Sequence, residues 1–196
     1  MALSPSFWFT QSGPTTTEIA PAMWDGTTQG LANWTRSGND ISKTATTGGG
    51  FNNIRIKHAT APVLDGDFTW TYTQTGDGGG NTDSSYGFYD ISEDSTWSAT
   101  EYQQKLNLMT SSYWIDMDGT ISSPTCETFQ GSSNLTTGIA FSTGQTFKWQ
   151  RTGTSLKMFI NDSEKQEWTS VSATLRFTVS GFTINKADLS DITCIT

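Results

Sequence analysis

Between Gly144 and Trp168 apolar and polar residues alternate, break, and alternate again. Phe147, Trp149 and Arg151 share one phase, with Lys148 and Gln150 in the other. After Thr152-Gly153-Thr154, Leu156, Met158 and Ile160 alternate with Lys157 and Phe159, and Asn161-Asp162-Ser163 turns the chain once more. Successive side chains of a strand point to opposite faces, so this pattern predicts a β-hairpin with one wet face.

The same two-residue period recurs upstream and downstream. Ile54 and Ile56 share a face, and Phe68, Trp70 and Tyr72 alternate strictly with threonines. Tyr86 to Ile91 reads as another strand, and Tyr113 to Thr120 as a strand running into a turn at Asp118-Gly119. Leu175, Phe177 and Val179 alternate with Arg176 and Thr178, and Phe182 and Ile184 continue after Gly181. Residues 76–83, rich in Gly, read as a loop. Thr100 to Met109 fits a strand or a short helix equally. Ten to twelve strands result, and no span of twelve or more residues carries clean helical periodicity. That predicts an all-β fold: one antiparallel β-sandwich or jelly roll over residues 31–196. Residues 1–30 are less patterned, with Gly13-Pro14, a threonine run and Pro21, and read as an N-terminal arm or edge segment.

Composition supports this. The chain has 196 residues, long enough to bury a core without metals or disulfides, and 8 Trp, 5 Tyr and 11 Phe to fill it. Charged residues are few (15%), while Ser, Thr and Gly are abundant, which suits strand surfaces and turns. The net charge of −8 gives no Lys/Arg patch for displacing counterions, which argues against nucleic acid as a partner. No apolar run approaches a membrane span and no export signal is legible at the N-terminus, so membrane insertion is not expected. Cys126 and Cys194 make no disulfide framework and read as free thiols.

The order of elements resembles the concanavalin A-like lectin/glucanase superfamily, which includes laminin-G-type modules. The residues carrying that resemblance are Asp67-Phe68-Thr69-Trp70, Tyr86-Gly87-Phe88, the hairpin from Phe147 to Asn161, and Leu175 to Ile184. It implies two packed, curved antiparallel sheets with one concave face. Glucanases of that superfamily carry a Glu-X-Asp-X-X-Glu or Glu-X-Asp-X-Glu strand whose carboxylates act as nucleophile and general acid. This chain lacks it; the nearest clusters are Glu93-Asp94, Asp116-X-Asp118 and Glu164-X-X-Glu167. The sole histidine, His58, stands without a nucleophile motif and reads as a solvent-facing strand end. No catalytic residue is therefore expected.

Candidate chemistry lies in outward aromatics and loop acids. Trp114, Trp97 and Tyr89 are out of phase with their core neighbours, and Trp114 stands beside Asp116. Aromatic planes flanked by carboxylates and amides suit a sugar, whose C–H faces stack while its hydroxyls hydrogen-bond. These four residues are the expected ligand-binding set, with at least one of the three rings exposed. No cofactor is required; Asp116, Asp118, Asp77 and Asp83 form a tentative calcium set, because hard cations take oxygen ligands and the resemblance implies calcium near loops. The expected function is a non-catalytic surface-binding module. Its acidic, Thr/Ser/Gly-rich make-up resembles virion-associated proteins of phages or other viruses: tail fibres, head fibres or capsid decoration proteins. Partners would be a cell-surface glycan or capsid and tail proteins, with a homo-oligomer allowed, and the setting a virion or the exterior after lysis. The alternatives are a glycosidase or lyase with dispersed catalytic residues, or a purely structural virion component.

Overall fold

The computed structural model describes residues 13–26, 31–45, 51–57, 61–76, 84–99, 106–120, 123–171, 174–181 and 187–196, without the side chains of 98, 99, 118–120 and 123. It is a sandwich of two antiparallel sheets. The strands are β1 (Thr16–Glu18), β2 (Trp24–Gly26), β3 (Trp34–Ser37), β4 (Asp40–Lys43), β5 (Asn52–Ile56), β6 (Phe68–Gln74) and β7 (Ser84–Asp90). A short helix, α1 (Asp94–Ala99), follows. The remainder are β8 (Ser112–Thr120), β9 (Ser123–Gln130), β10 (Ser133–Ala140), β11 (Thr146–Thr152), β12 (Ser155–Ile160), β13 (Ser163–Trp168), β14 (Leu175–Gly181) and β15 (Leu189–Ile195).

One sheet has eight strands in the order β13-β12-β11-β6-β15-β4-β3, with β1 also pairing β15; the other has seven, in the order β10-β9-β8-β7-β14-β5-β2. Since β6 occupies one flank of β15, β4 and β1 share the other: Leu189 pairs Ile41, while Ile195 to Thr193 pair Thr16 to Glu18. The expected hairpin is β11–β12, with Phe147 opposite Ile160 and Thr152 opposite Ser155. Its turn passes through Gly153 at φ +58°, a left-handed conformation that costs glycine little.

The inner faces meet as the alternation requires. Phe68, Trp70, Tyr72, Phe147, Trp149 and Trp168 from one sheet are buried against Tyr86, Phe88, Ile115 and Phe177 of the other. Rings interlock between sheets: Trp70 and Phe177 centroids lie 4.7 Å apart, and Phe88 meets Trp149 edge-on at 5.5 Å. Each such ring removes roughly 150–250 Å² from water, so these contacts are the main source of sheet-to-sheet cohesion.

Three details differ from the sequence reading. The strand β8 does not turn at Asp118-Gly119; it runs on to Thr120, pairing Asp118 with Thr125 and Gly119 with Pro124. Fifteen strands form among the described residues, two of them of only three residues, too short for periodicity to register. Leu106–Leu108 is a 3-10 turn, where either a strand or a helix was expected. Cys126 and Cys194 are free and buried. The continuation at Phe182 and Ile184, and His58, lie outside the described residues. Among the described residues no helix is long and apolar enough to cross a membrane.

Candidate functional site

Of the four residues expected to bind ligand, Tyr89, Trp114 and Asp116 face outward from the seven-stranded sheet, and Trp97 packs onto that face from α1. That face is organised in rows set by strand register. One row runs Phe129–Trp114–Gly87–Thr178–Arg55 across β9, β8, β7, β14 and β5. The next row, one step of two residues away, runs Glu127–Asp116–Ser85–Ser180–Asn53. An aromatic and arginine row thus lies against a row of carboxylates, hydroxyls and an amide.

The three rings are not exposed, which corrects the expectation for them. Tyr89, Trp97 and Trp114 are 0, 2 and 1% exposed, and pack with Leu106 and Met109 as a second hydrophobic cluster against Phe129. Trp114 stacks on Phe129 at 4.2 Å with planes 13° apart, and its indole N–H donates to the Gly131 carbonyl at 2.8 Å. The Trp97 N–H donates to Thr178 Oγ1 at 3.2 Å. The physical reason is α1. It places Trp97 against the sheet, and Asp94 at its start binds two arginines that rise from the sheet. Arg55 Nη1 and Arg176 Nη1 each lie 2.9 Å from an Asp94 oxygen, and Tyr89 Oη donates to Asp94 Oδ1 at 2.7 Å. The Arg55 guanidinium also lies 4.1 Å over the Trp97 ring. Burial pushes the Tyr89 phenol above its ordinary pKa, against the opposing pull of Arg55.

Gly87 belongs to this packing. A Cβ there would sit 2.3 Å from the Tyr113 carbonyl oxygen and 2.5 Å from Trp114 Cβ. Only glycine lets Trp114 lie so close across the strand.

In the second row Ser85, Ser180 and Asn53 are buried, and solvent reaches it at its Asp116–Glu127 end. Asp116 and Glu127 are half-buried and directly opposed across β8 and β9. Side chains so paired have Cβ atoms roughly 4.5–5.5 Å apart. Asn134 Nδ2 donates to Glu127 Oε2 at 2.6 Å, holding one carboxylate in place. Ser85, the register partner of Asp116 on β7, is fully buried and its hydroxyl makes no hydrogen bond. Ser180 donates to Asn53 Oδ1 at the far end of the row. The field of this pair is felt through the sheet: burial, with Asp116 and Glu127 adding to it and Lys165 opposing, pushes the Cys126 thiol up to about 12.

On the strand itself, the residue sharing Asp116's face two positions earlier is the buried Trp114, and among the described side chains the carboxylate opposed to Asp116 is Glu127 of the neighbouring strand. Sequence reasoning found Asp116 but missed Glu127 and Ser85. Their alternation marks them as outward, yet their meeting with Asp116 is a matter of register, which no local pattern encodes. The calcium set is divided: Asp77, Asp83 and the Asp118 side chain lie outside what is described, and no group of three or more His, Cys, Asp or Glu converges among the described residues.

No family model matches the chain, and no curated protein matches its sequence. Solved structures do match its fold. The Emp47p carbohydrate recognition domain superposes with TM-score 0.57 at 13% identity, over 89% of this chain and 88% of that one. A GlcNAcα1-4Gal-releasing endo-β-galactosidase from Clostridium perfringens gives 0.57 at 9% identity, over 97% of this chain, which spans 64% of the enzyme. The exoplasmic/lumenal domain of VIP36, in a Ca2+/Man-bound form, gives 0.54 at 10% identity, over 91% and 87%. At these identities the likeness is one of fold alone. A carbohydrate recognition domain and an endo-glycosidase share it, so the fold does not choose between binding and turnover. The chain is a single-domain antiparallel β-sandwich with the jelly-roll fold of these lectin and glycosidase structures.

Proposed function

We propose that this chain is a carbohydrate-binding module without turnover, with its site on the outer face of the seven-stranded sheet around Asp116 and Glu127. The observation that supports the reading is the opposed, half-buried carboxylate pair, with the Asn134 amide held against Glu127. Sugar hydroxyls donate to carboxylates and accept from amides, the two kinds of group that meet here. The buried aromatic row serves as the rigid floor beside the site and not as its stacking surface. Glycan-binding neighbours of the same fold raise the prior by analogy only.

The same pair carries the second reading, a glycosidase, because retaining hydrolysis needs two carboxyl groups about 5–5.5 Å apart. A glycan array read alongside a reducing-end assay separates the two, using the wild type, Asp116→Asn and Glu127→Gln. At least a tenfold loss of glycan affinity in both variants, at unchanged melting temperature and with no reducing ends released, is the expected result. Reducing ends released by the wild type and abolished by either substitution would establish the hydrolase instead. Undiminished affinity in both variants would remove this face from consideration. Repeating the array with calcium and with a chelator tests whether Asp116 and Asp118 share a cation. The setting we propose is a virion surface, suggested by the acidic Thr/Ser/Gly-rich composition, and co-sedimentation with capsids tests it.

A further inference from the structure

The opposite face of the sandwich carries the second feature with the character of a site. On the outer face of the eight-stranded sheet, at one end of β6, an open pocket of about 250 Å³ is bordered by Pro14, Asp67, Thr69, Gln150, Thr152 and Ile195. Register fixes its layout. Thr69 forms the floor, with Gln150 of β11 beside it on one side and Ile195 of β15 on the other. Two strand spacings put those walls about 10 Å apart, the width of one six-membered ring with its hydroxyls.

The polar groups are uncommitted. In the neighbouring row of the same face, Thr71 and Thr193 satisfy each other across the strands at 2.6 Å. In the pocket row the residue opposite Thr69 on β15 is Ile195, so the Thr69 hydroxyl has no such partner. The Gln150 amide and the Thr152 hydroxyl likewise make no hydrogen bond among the described residues. Asp67 accepts from the Gly153 N–H through Oδ1 at 2.7 Å, which leaves Oδ2 facing outward as an acceptor. The charge is arranged against anions. The guanidinium of Arg151 turns inward, where it donates to the carbonyls of Gly153 and Leu64 at 2.9 and 3.3 Å. Of the two charged residues lining the opening, Asp67 and Arg151, Asp67 is the exposed one and Arg151 is buried.

We infer that this pocket binds a single uncharged polyol ring of pyranose size, with its hydroxyls held by Asp67, Thr69, Gln150 and Thr152 and its C–H face against Ile195 and Pro14. The volume lies just below the roughly 300–1,000 Å³ that holds drug-sized ligands, so one ring fills it and an oligosaccharide does not. The inference stands apart from the Asp116 face, on the other sheet, and either can fail alone.

Amide and side-chain NMR titration of the full chain tests it. The probes are methyl glycopyranosides of gluco, galacto and manno configuration, N-acetylglucosamine, glucuronate and glycerol. Saturable shifts at the Gln150 side chain and at Thr69 and Thr152 are expected with at least one neutral ring. They should persist in Asp116→Asn and weaken at least tenfold in Thr69→Val and Gln150→Ala, both surface changes that leave the melting temperature unchanged. Three outcomes would each overturn the inference. One is the absence of saturable shifts at these residues with every neutral ring. Another is glucuronate binding as tightly as the neutral sugars. The third is glycerol matching them, which marks an adventitious additive only.

Discussion

Lys43 is the residue least in keeping with its surroundings. It shares the inner face of β4 with Ile41 and is fully buried. Its stem fills the space over Gly181, where a Cβ would meet Lys43 Cδ at 2.7 Å. The ammonium donates to Asn52 Oδ1 at 2.9 Å and to the Ala45 carbonyl, and among the described residues no carboxylate is bonded to it. Burial lowers its pKa from 10.5 to about 8. Below pH 8 the group is charged in both folded and unfolded chains, and the folded state bears the whole desolvation penalty. Between about 8 and 10.5 the folded chain holds fewer protons than the unfolded one, so stability contributed by this group rises with pH. Lys43→Met keeps the stem and removes the charge. The stability difference between variant and wild type, measured by denaturant titration, should move in the wild type's favour by up to about 3 kcal/mol from pH 7 to pH 11. A pH-independent difference would show that the amine titrates normally. Nothing between Asp40 and Lys43 stood out in the sequence; the pairing of β4 with β3 puts Lys43 inside with Ile41.

At the scale of elements, α1 explains what the alternation could and could not convey. Where one face of a strand is wet the pattern is legible: β6 and β11 place Phe68, Trp70, Tyr72, Phe147 and Trp149 inside, as read from their phase alone. On β7 and β14 nearly every residue is buried, on both faces, so phase says which way a ring points but not whether water reaches it. Tyr89 and Trp114 were thus assigned the correct side and the wrong environment. The cause is a six-residue helix in a polar segment, too short to show a helical period and held by tertiary ion pairs. Asp94→Ala should release it. The two arginines lose the carboxylate they share, and both are nearly buried, with side chains 11 and 7% exposed. Because Asp94 itself is a third exposed, a loss of about 2 kcal/mol is expected, below the range for a fully buried pair. Hydrogen exchange should quicken across 94–99 and tryptophan emission shift to the red as Trp97 and Trp114 meet water. Unchanged exchange with lowered stability would mean that the helix is held by Trp97 packing instead.

Over the whole molecule the buried titratable groups set how the sandwich meets alkali. Cys126 and Cys194 are both pushed from 9 up to about 12, in each case chiefly by burial. A raised folded-state pKa contributes stability that is fully present below pH 9 and is lost as the pH climbs toward 12, because the unfolded chain gives up protons that the folded chain keeps. Burial raises the phenols of Tyr72, Tyr86 and Tyr89 in the same direction. Lys43 opposes them, but it is one group, and its gain is complete by about 10.5. Stability should therefore climb slightly between pH 8 and 9 and then fall increasingly steeply. Each thiol adds a slope of about 1.4 kcal/mol per pH unit while it is ionised in the unfolded chain and neutral in the folded one. Replacing both, Cys126→Ala with Cys194→Ala, leaves small cavities and lowers stability at pH 7. The same change removes two of the protons released on unfolding near pH 10.5, so the fall between pH 9.5 and 11 should flatten by about 3 kcal/mol per pH unit. The pairing of a lower plateau with a shallower alkaline limb distinguishes thiol burial from mere loss of packing, which lowers the curve without changing its slope. A double variant whose alkaline slope matches the wild type would show that the two thiols are not shielded between the sheets.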